Sequence, residues 1–266
     1  MSSPNSPLYK KRFLLNCAFG GLDKLLSDQQ LQAINQELES KFEAAIGVVA
    51  PNGGDVVLTN GLGVWSVFDE PQGALAAAGA VQRQTSRIAG TLWAGNISVT
   101  HYLTYGDIFQ VQVAGKTVLQ GEAMGHVREA ATLTNGYGLE IVLTEQAVMA
   151  MPDLEDYWAV DRIRRADGAV SRFYEYYGHQ EPGARLFKRK WDYVLQQALA
   201  DYFSRRPTAA AAGFETLARE ASQSMPGRSV IEVYLNRCTD FLHRHGESDI
   251  HTHLGWAGTP DGSAEP

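Results

Sequence analysis

Apolar residues recur along this chain in two rhythms, and the stretch GGDVVLTNGLGVWSVF from Gly53 to Phe68 shows the shorter one. Val56, Val57 and Leu58 lead into Asn60-Gly61, the dipeptide best suited to a two-residue hairpin turn because both positions tolerate positive φ. Val64, Trp65, Val67 and Phe68 continue beyond the turn, so two paired strands are predicted. Before them, Phe13, Leu14 and Leu15 run through Cys17, Ala18 and Phe19 to Gly20-Gly21, the pattern of a buried central strand stopped by a glycine turn. Between the two, the longer rhythm takes over. From the N-cap residue Ser27, the residues Leu31, Ile34, Leu38, Phe42 and Ile46 repeat every three to four positions, predicting an amphipathic helix over 28–46 that Gly47 closes.

A second helix, alanine-rich on one broad face, is predicted over 71–92. Ile97, Val99, His101 and Leu103 then alternate, followed by Ile108, Phe109, Val111 and Val113, which predicts two strands joined through Tyr105-Gly106-Asp107. A third helix over 124–133, a strand over 139–143 and a last strand come next. In that last strand Arg172, Tyr174 and Tyr176 alternate with Phe173, Glu175 and Tyr177. Beyond a linker from Gly178 to Gly183 the pattern turns helical. Trp191, Val194, Leu195, Ala198, Leu199 and Tyr202 share one face, and Ala209–Ala221 and Val230–Leu242 form two more helices set apart by Pro207 and Met225-Pro226-Gly227. The expected organisation is a flexible N-terminus over 1–10, an α/β (α+β) domain over 11–178, a helical annex over 184–245 and a disordered tail over 255–266. The annex carries too many large apolar groups for solvated helices and is expected to dock.

With 266 residues and 44% apolar content the chain can build a substantial core. Its formal charge of −7 offers no global basic field for nucleic acid. Cys17 and Cys238 fall in separate predicted elements without metal spacing, which suits a reducing, cytoplasmic setting. Neither an export signal nor a membrane-spanning run is read in the sequence.

The order of elements carries a resemblance. FLLNCAFGGLDKL, GGDVVLTNGLGVWSVF, HYLTYGDIFQVQVAG, GEAMGHVREAATL and GLEIVLT resemble, in sequence order and spacing, the class III adenylate/guanylate cyclase catalytic domain over roughly 11–178. In that family the first strand carries an FxDIxGFT-like motif, the hairpin carries GDG before an apolar strand ending in Phe, and a later helix begins VNxAARL. The segment DYFSRR with AGFETLAREA and VYLNRC also resembles the helical part that follows the domain in some bacterial members.

The resemblance implies a ferredoxin-like βαββαβ core, a head-to-tail dimer, and nucleotide held with two divalent ions on two carboxylates. The residues at the matching positions differ. Cys17, or Asn16 with a one-residue shift, stands where the first metal carboxylate is expected, and Leu62 stands at the second. Leu58 replaces the purine-selecting lysine, Arg128 the transition-state asparagine and Thr132 the phosphate-binding arginine. A leucine offers magnesium no oxygen. The resemblance therefore implies a degenerate member without catalytic residues, metal or cofactor; magnesium would enter only with an unrecognised cyclase activity.

Glu122, near a purine contact of some cyclases, and Arg128, able to bond phosphate, join Leu58 as nucleotide-pocket positions, although a carboxylate at a helix start is also ordinary. Three functions stay open: a regulatory or protein-interaction module in intracellular signalling, dimeric through the family's surface; a cyclase completed by another chain; or a sensor of nucleotide or small anions. Trp65 is the aromatic anchor a dimer contact would use, with core packing the equal alternative from strand alternation.

Other sharp features have plainer counterparts. Gly53-Gly54 and Gly61-x-Gly63 lack the GxxxxGK[ST] of a phosphate loop and suit hairpin glycines better. His243, His245, His251 and His253 make two HxH pairs, with solvated histidines the plainer account. Arg162, Arg164, Arg165, Arg172, Arg185, Lys188, Arg189 and Lys190 concentrate positive charge that would suit an anionic partner, with solvation the plainer expectation. Cys17 has no His-Asp company for nucleophilic work and suits a buried strand.

Overall fold

A computed structural model describes residues 10–20, 28–60, 63–86, 98–113, 116–134, 136–164, 168–223 and 225–245. The chain divides into two compact units, one running to Leu133 and taking back Glu140–Asp153, the other made of Thr134–Leu139 and the chain from Leu154 onward.

The first unit opens with β1 (Lys10–Gly20), α1 (Asp28–Gly47), a one-turn helix at Ala50–Asn52, then β2 (Gly54–Asn60) and β3 (Gly63–Phe68). It continues with α2 (Pro71–Thr85), β4 (Ser98–Val113), β5 (Lys116–Gln120), α3 (Glu122–Leu133), β6 (Ile141–Thr144) and α4 (Glu145–Met149). The strands are ordered β2-β3-β1-β4-β6, antiparallel except for the parallel β4–β6 pair, with β5 on the far half of β4. The succession β1-α1-β2-β3-α2-β4 with β1 between β3 and β4 is the ferredoxin-like βαββαβ arrangement expected from the sequence, within a mixed α+β fold.

The alternation of β1 sets the two faces of this sheet. Phe19 stacks on Phe42 of α1 with ring centroids 4.4 Å apart, so Phe13, Leu15 and Cys17, two residues apart in turn, share the α1 side. The alanines expected on α2 are there for close packing: Ala74, Ala77 and Ala78 are fully buried beside Val81. The predicted strands over 13–19, 56–68 and 139–143 are present, and Gly61 of the predicted turn lies outside the described residues, as does 87–92 of the second predicted helix.

Several expectations need correction. Tyr105-Gly106-Asp107 is no turn. β4 runs straight through it, in unbroken register with β1 from Lys10↔Ile108 to Gly20↔Ser98. Gly106 lies under the start of α3: a Cβ there would come 3.1 Å from Glu122 Oε1. The chain reverses further on, between β4 and the unforeseen β5. On α1, the face buried among the described side chains is Glu37, Lys41 and Ala45, whereas Ile46 is exposed. The charges tolerate that burial because Lys41 Nζ lies 2.7 Å from Glu37 Oε1, one turn away. The five-residue α4 was also not expected; the Thr144 hydroxyl caps it by accepting from the Ala147 N–H at 3.4 Å.

The second unit contains a hairpin of β7 (Tyr157–Arg164) and β8 (Val170–Tyr176), then α5 (Pro182–Phe203), α6 (Pro207–Glu220) and α7 (Arg228–His245). The three helices match those predicted for the annex, although α5 starts inside the stretch expected to be linker. They form one hydrophobic layer. Leu195, Leu199, Tyr202, Phe214, Leu217, Ile231 and Tyr234 are nearly or wholly buried, and the Phe214 ring stacks on Tyr234 at 5.2 Å. β7 was not predicted. Among the described residues, no helix is long and apolar enough to cross a membrane.

Candidate functional site

Two of the positions singled out by resemblance, Cys17 and Asn16, lie on the central strand β1. Cys17 pairs with Val64 of β3 and His101 of β4, is 3% exposed and is a free thiol. Burial pushes that thiol far above its ordinary range. With its side chain on the α1 side of the sheet, Cys17 packs in the core.

Asn16 points to the opposite face. It is 5% exposed and stands between Trp65 of β3 and Tyr102 of β4, with Leu58 next in the row beyond Trp65. Leu58 is half-buried and contributes no polar atom. Trp65 is 8% exposed, so it belongs to the chain's own core and supplies no exposed interface anchor. Its indole N–H is buried and has no hydrogen-bond partner among the described residues. At the start of β3, Gly63 is required for close approach, since a Cβ there would run into the Cys17 carbonyl. Leu62 lies outside the described residues.

The remaining positions lie on α3. Glu122 is its exposed first residue, where a carboxylate suits the helix N-terminus. Arg128 and Thr132 sit one turn apart on an exposed face, and the Thr132 hydroxyl donates to the Arg128 carbonyl at 2.9 Å. That bond is local to the helix. Among the described residues no three His, Cys, Asp or Glu side chains converge as a metal site. His243 is exposed on α7, the side chain of His245 and all of His251 and His253 lie outside the description, and Gly53 closes the one-turn helix at φ 76°.

The basic concentration resolves into separate pieces, and its expected solvation fails for one member. Lys188 is fully buried in the second unit, its ammonium 2.6 Å from Glu175 Oε1. Glu175 is equally buried and also accepts from Trp158 Nε1 at 2.7 Å and Gln180 Nε2 at 3.1 Å. The Lys188 ammonium lies 5.0 Å above the Trp158 ring. Arg185 and Arg189 both donate to Asp156, at 2.7 and 2.6 Å. Burial pushes Asp156 up, yet the hydrogen bonds from Arg189 and Arg185 outweigh it and hold the carboxyl below its ordinary value. Arg162 lies over the Phe203 ring and Lys190 over Trp191, at 4.0 and 4.8 Å from the centroids. Arg164's side chain and Arg165 are not described.

A second polar cluster of this unit went unseen in the sequence. The Tyr137 hydroxyl donates to Asp161 Oδ2 at 2.7 Å, and Tyr234 and Arg237 adjoin the same carboxylate. Burial raises the Asp161 carboxyl despite the hydrogen bond from Tyr137 and the nearby Arg237. Only its interruption of an apolar run in YWAVDRIR could have drawn attention to Asp161.

No family model and no curated protein matches this chain in sequence. Solved structures match it in fold. A bacterial light-regulated adenylyl cyclase superposes with a TM-score of 0.53 at 13% identity, over 67% of this chain and 55% of that one, so the chain spans about half that protein's length. The adenylate/guanylate cyclase/hydrolase of Silicibacter pomeroyi gives 0.51 at 17% identity over 64% of this chain and 98% of the other. The guanylyl cyclase Cya2 gives 0.52 at 15% over 66% and 96%. At these identities the likeness establishes the fold: that of the class III adenylate and guanylate cyclase catalytic domain.

Proposed function

We propose that this chain is a catalytically silent cyclase-fold module that acts in cytoplasmic signalling as a regulatory or interaction unit, pairing with a second copy or another protein. The observation that carries this is the pair Cys17 and Asn16. The first is a thiol turned into the core and the second a neutral amide on the opposite face, so neither strand position offers the carboxylate that would hold a divalent ion. Leu58 adds no polar group, and the Thr132 hydroxyl is engaged within its own helix. Two free, buried cysteines fit a reducing compartment.

The purified chain is expected to form no cyclic nucleotide from ATP or GTP with magnesium or manganese. Turnover that disappears on Asn16→Ala would overturn the proposal. Light scattering is expected to give a dimer mass, and a clean monomer would remove self-pairing from it. Arg128 favours the sensor alternative to the extent that it is exposed and has no salt bridge among the described residues. Saturable ATP or GTP binding abolished by Arg128→Met would establish that alternative in place of a ligand-free module.

A further inference from the structure

At the end of the first unit where β1 begins, away from the Asn16–Trp65 row, the surface opens into a cleft of about 510 Å³. That volume is in the range of small-molecule sites. Phe13 of β1 and Tyr105 of β4 are cross-strand partners and form its aromatic floor, with ring centroids 4.8 Å apart and planes tilted by 47°. Phe13 is buried and Tyr105 half-buried, so the tyrosine ring is the part a ligand can reach. Pro71, the first residue of α2, adds an apolar wall.

The rim carries both signs of charge in two distinct states. Asp69 is already engaged: Lys10 Nζ donates to its Oδ1 at 2.7 Å and Arg12 Nε at 2.8 Å. Lys11 and Glu70 are not. Both are exposed, both line the cleft, and neither has a salt bridge among the described residues. No ion pair joins Lys11 even to Asp107, its cross-strand neighbour. Glu70 precedes α2 and its side chain does not cap the helix.

We infer that this cleft binds a small zwitterion with a flat apolar body, of the class of a free aromatic amino acid. Its ammonium meets Glu70, its carboxylate meets Lys11, and its ring lies on Tyr105. The charge arrangement selects this class. A simple anion would answer Lys11 and leave Glu70 repelling it, a simple cation would do the reverse, and a neutral apolar ligand would shut both charges away from water without a partner. The ring contact supplies body affinity through offset or edge packing of aromatic faces. Because the charged partners are exposed, affinity should fall as salt rises.

The test uses the full chain and titration calorimetry in low-salt buffer, with L-phenylalanine, phenethylamine and 3-phenylpropionate as probes. Phenylalanine should bind saturably, and either one-charge analogue about tenfold or more weakly. Glu70→Gln should weaken phenylalanine and phenethylamine while strengthening phenylpropionate; Lys11→Met should weaken phenylalanine and phenylpropionate while strengthening the amine. Tyr105→Ala should weaken all three. Both charge variants are surface changes expected to fold, which a melting curve verifies. No saturation by phenylalanine up to about 10 mM, or saturation indifferent to Glu70→Gln and Lys11→Met, overturns the assignment.

Discussion

Replacing Lys188 by Met should cost the second unit a large share of its stability. The change keeps the length and much of the volume of the side chain but removes the ammonium 2.6 Å from Glu175 Oε1, at a place where both groups have no solvent exposure. Glu175 would keep two neutral donors, Trp158 Nε1 and Gln180 Nε2, and no counter-charge. Removing one partner of a buried ion pair costs about 3–5 kcal/mol, because the desolvated charge that remains has lost its compensation. For a unit of this size each kcal/mol moves the midpoint by about 3–5 °C, so Tm measured by calorimetry or circular dichroism should fall by about 10–20 °C. Glu175→Gln alone should cost a similar amount by stranding the ammonium.

The double variant, Lys188→Met with Glu175→Gln, separates this account from mere loss of packing. The amide introduced at position 175 keeps a carbonyl oxygen for one of the two donors, Trp158 Nε1 or Gln180 Nε2, which bond different carboxylate oxygens, and the thioether introduced at position 188 needs no counter-ion. The combination should therefore lose less than either single change, with a coupling of about 1–3 kcal/mol in a double-mutant cycle. Both single variants melting within about 2 °C of the parent, with additive effects, would refute the reasoning.

Asp156 gives a pH-dependent expectation. Its carboxyl is held below the ordinary 3.8, so its contribution is fully present above that pH and is lost as pH falls below it; urea denaturation at neutral and acid pH should show this loss in the parent and not in Asp156→Asn. Asparagine is the suitable replacement because the site has φ 56°, a left-handed conformation that Asn and Asp tolerate. The thiols give another expectation: burial lifts Cys238 to about 12 and Cys17 further, so a disulfide reagent should titrate neither until denaturant unfolds the chain, and a fast-reacting native thiol would contradict their placement.

What the sequence disclosed, and what it hid, follows from the kind of signal each element carries. β1, β3 and α2 were legible because unbroken apolar runs or a single alanine face decide them. β4 was misread because Tyr105-Gly106-Asp107 has the composition of a turn; its pairing with β1 through Gly106 is a tertiary matter that leaves no local trace. β7 escaped because its alternation slips at the register shift between Ala159 and Asp161, and β5 and α4 are each only five residues long. In the second unit, Lys188 belongs to the basic run Lys188-Arg189-Lys190, and Glu175 to an alternating tyrosine strand. Nothing local marks one lysine of three as buried. Only the packing of α5 beside β8 brings the two charges together, and composition cannot anticipate that.

The alternation of β1 decides what placing an acid on it would do. Aligning its motif left two candidates for the first carboxylate, Cys17 and Asn16, and a shift of one residue along a strand exchanges the faces. Cys17→Asp would place a carboxylate at a 3% exposed position on the α1 side, between Val64 and His101 and away from the α3-facing side. An unpaired buried charge there should cost about 3–5 kcal/mol, or the new acid should stay protonated with a raised pKa. Asn16→Asp would change a nearly isosteric side chain beside Trp65, whose indole N–H is without a partner among the described residues and can donate to the new oxygen. Its loss at neutral pH should be smaller by about 2 kcal/mol or more, and the two melting curves should diverge as pH rises through the carboxyl range. Equal losses for the two variants would mean that β1 does not keep this alternation in solution, and the assignment of Cys17 to the core would fall with it.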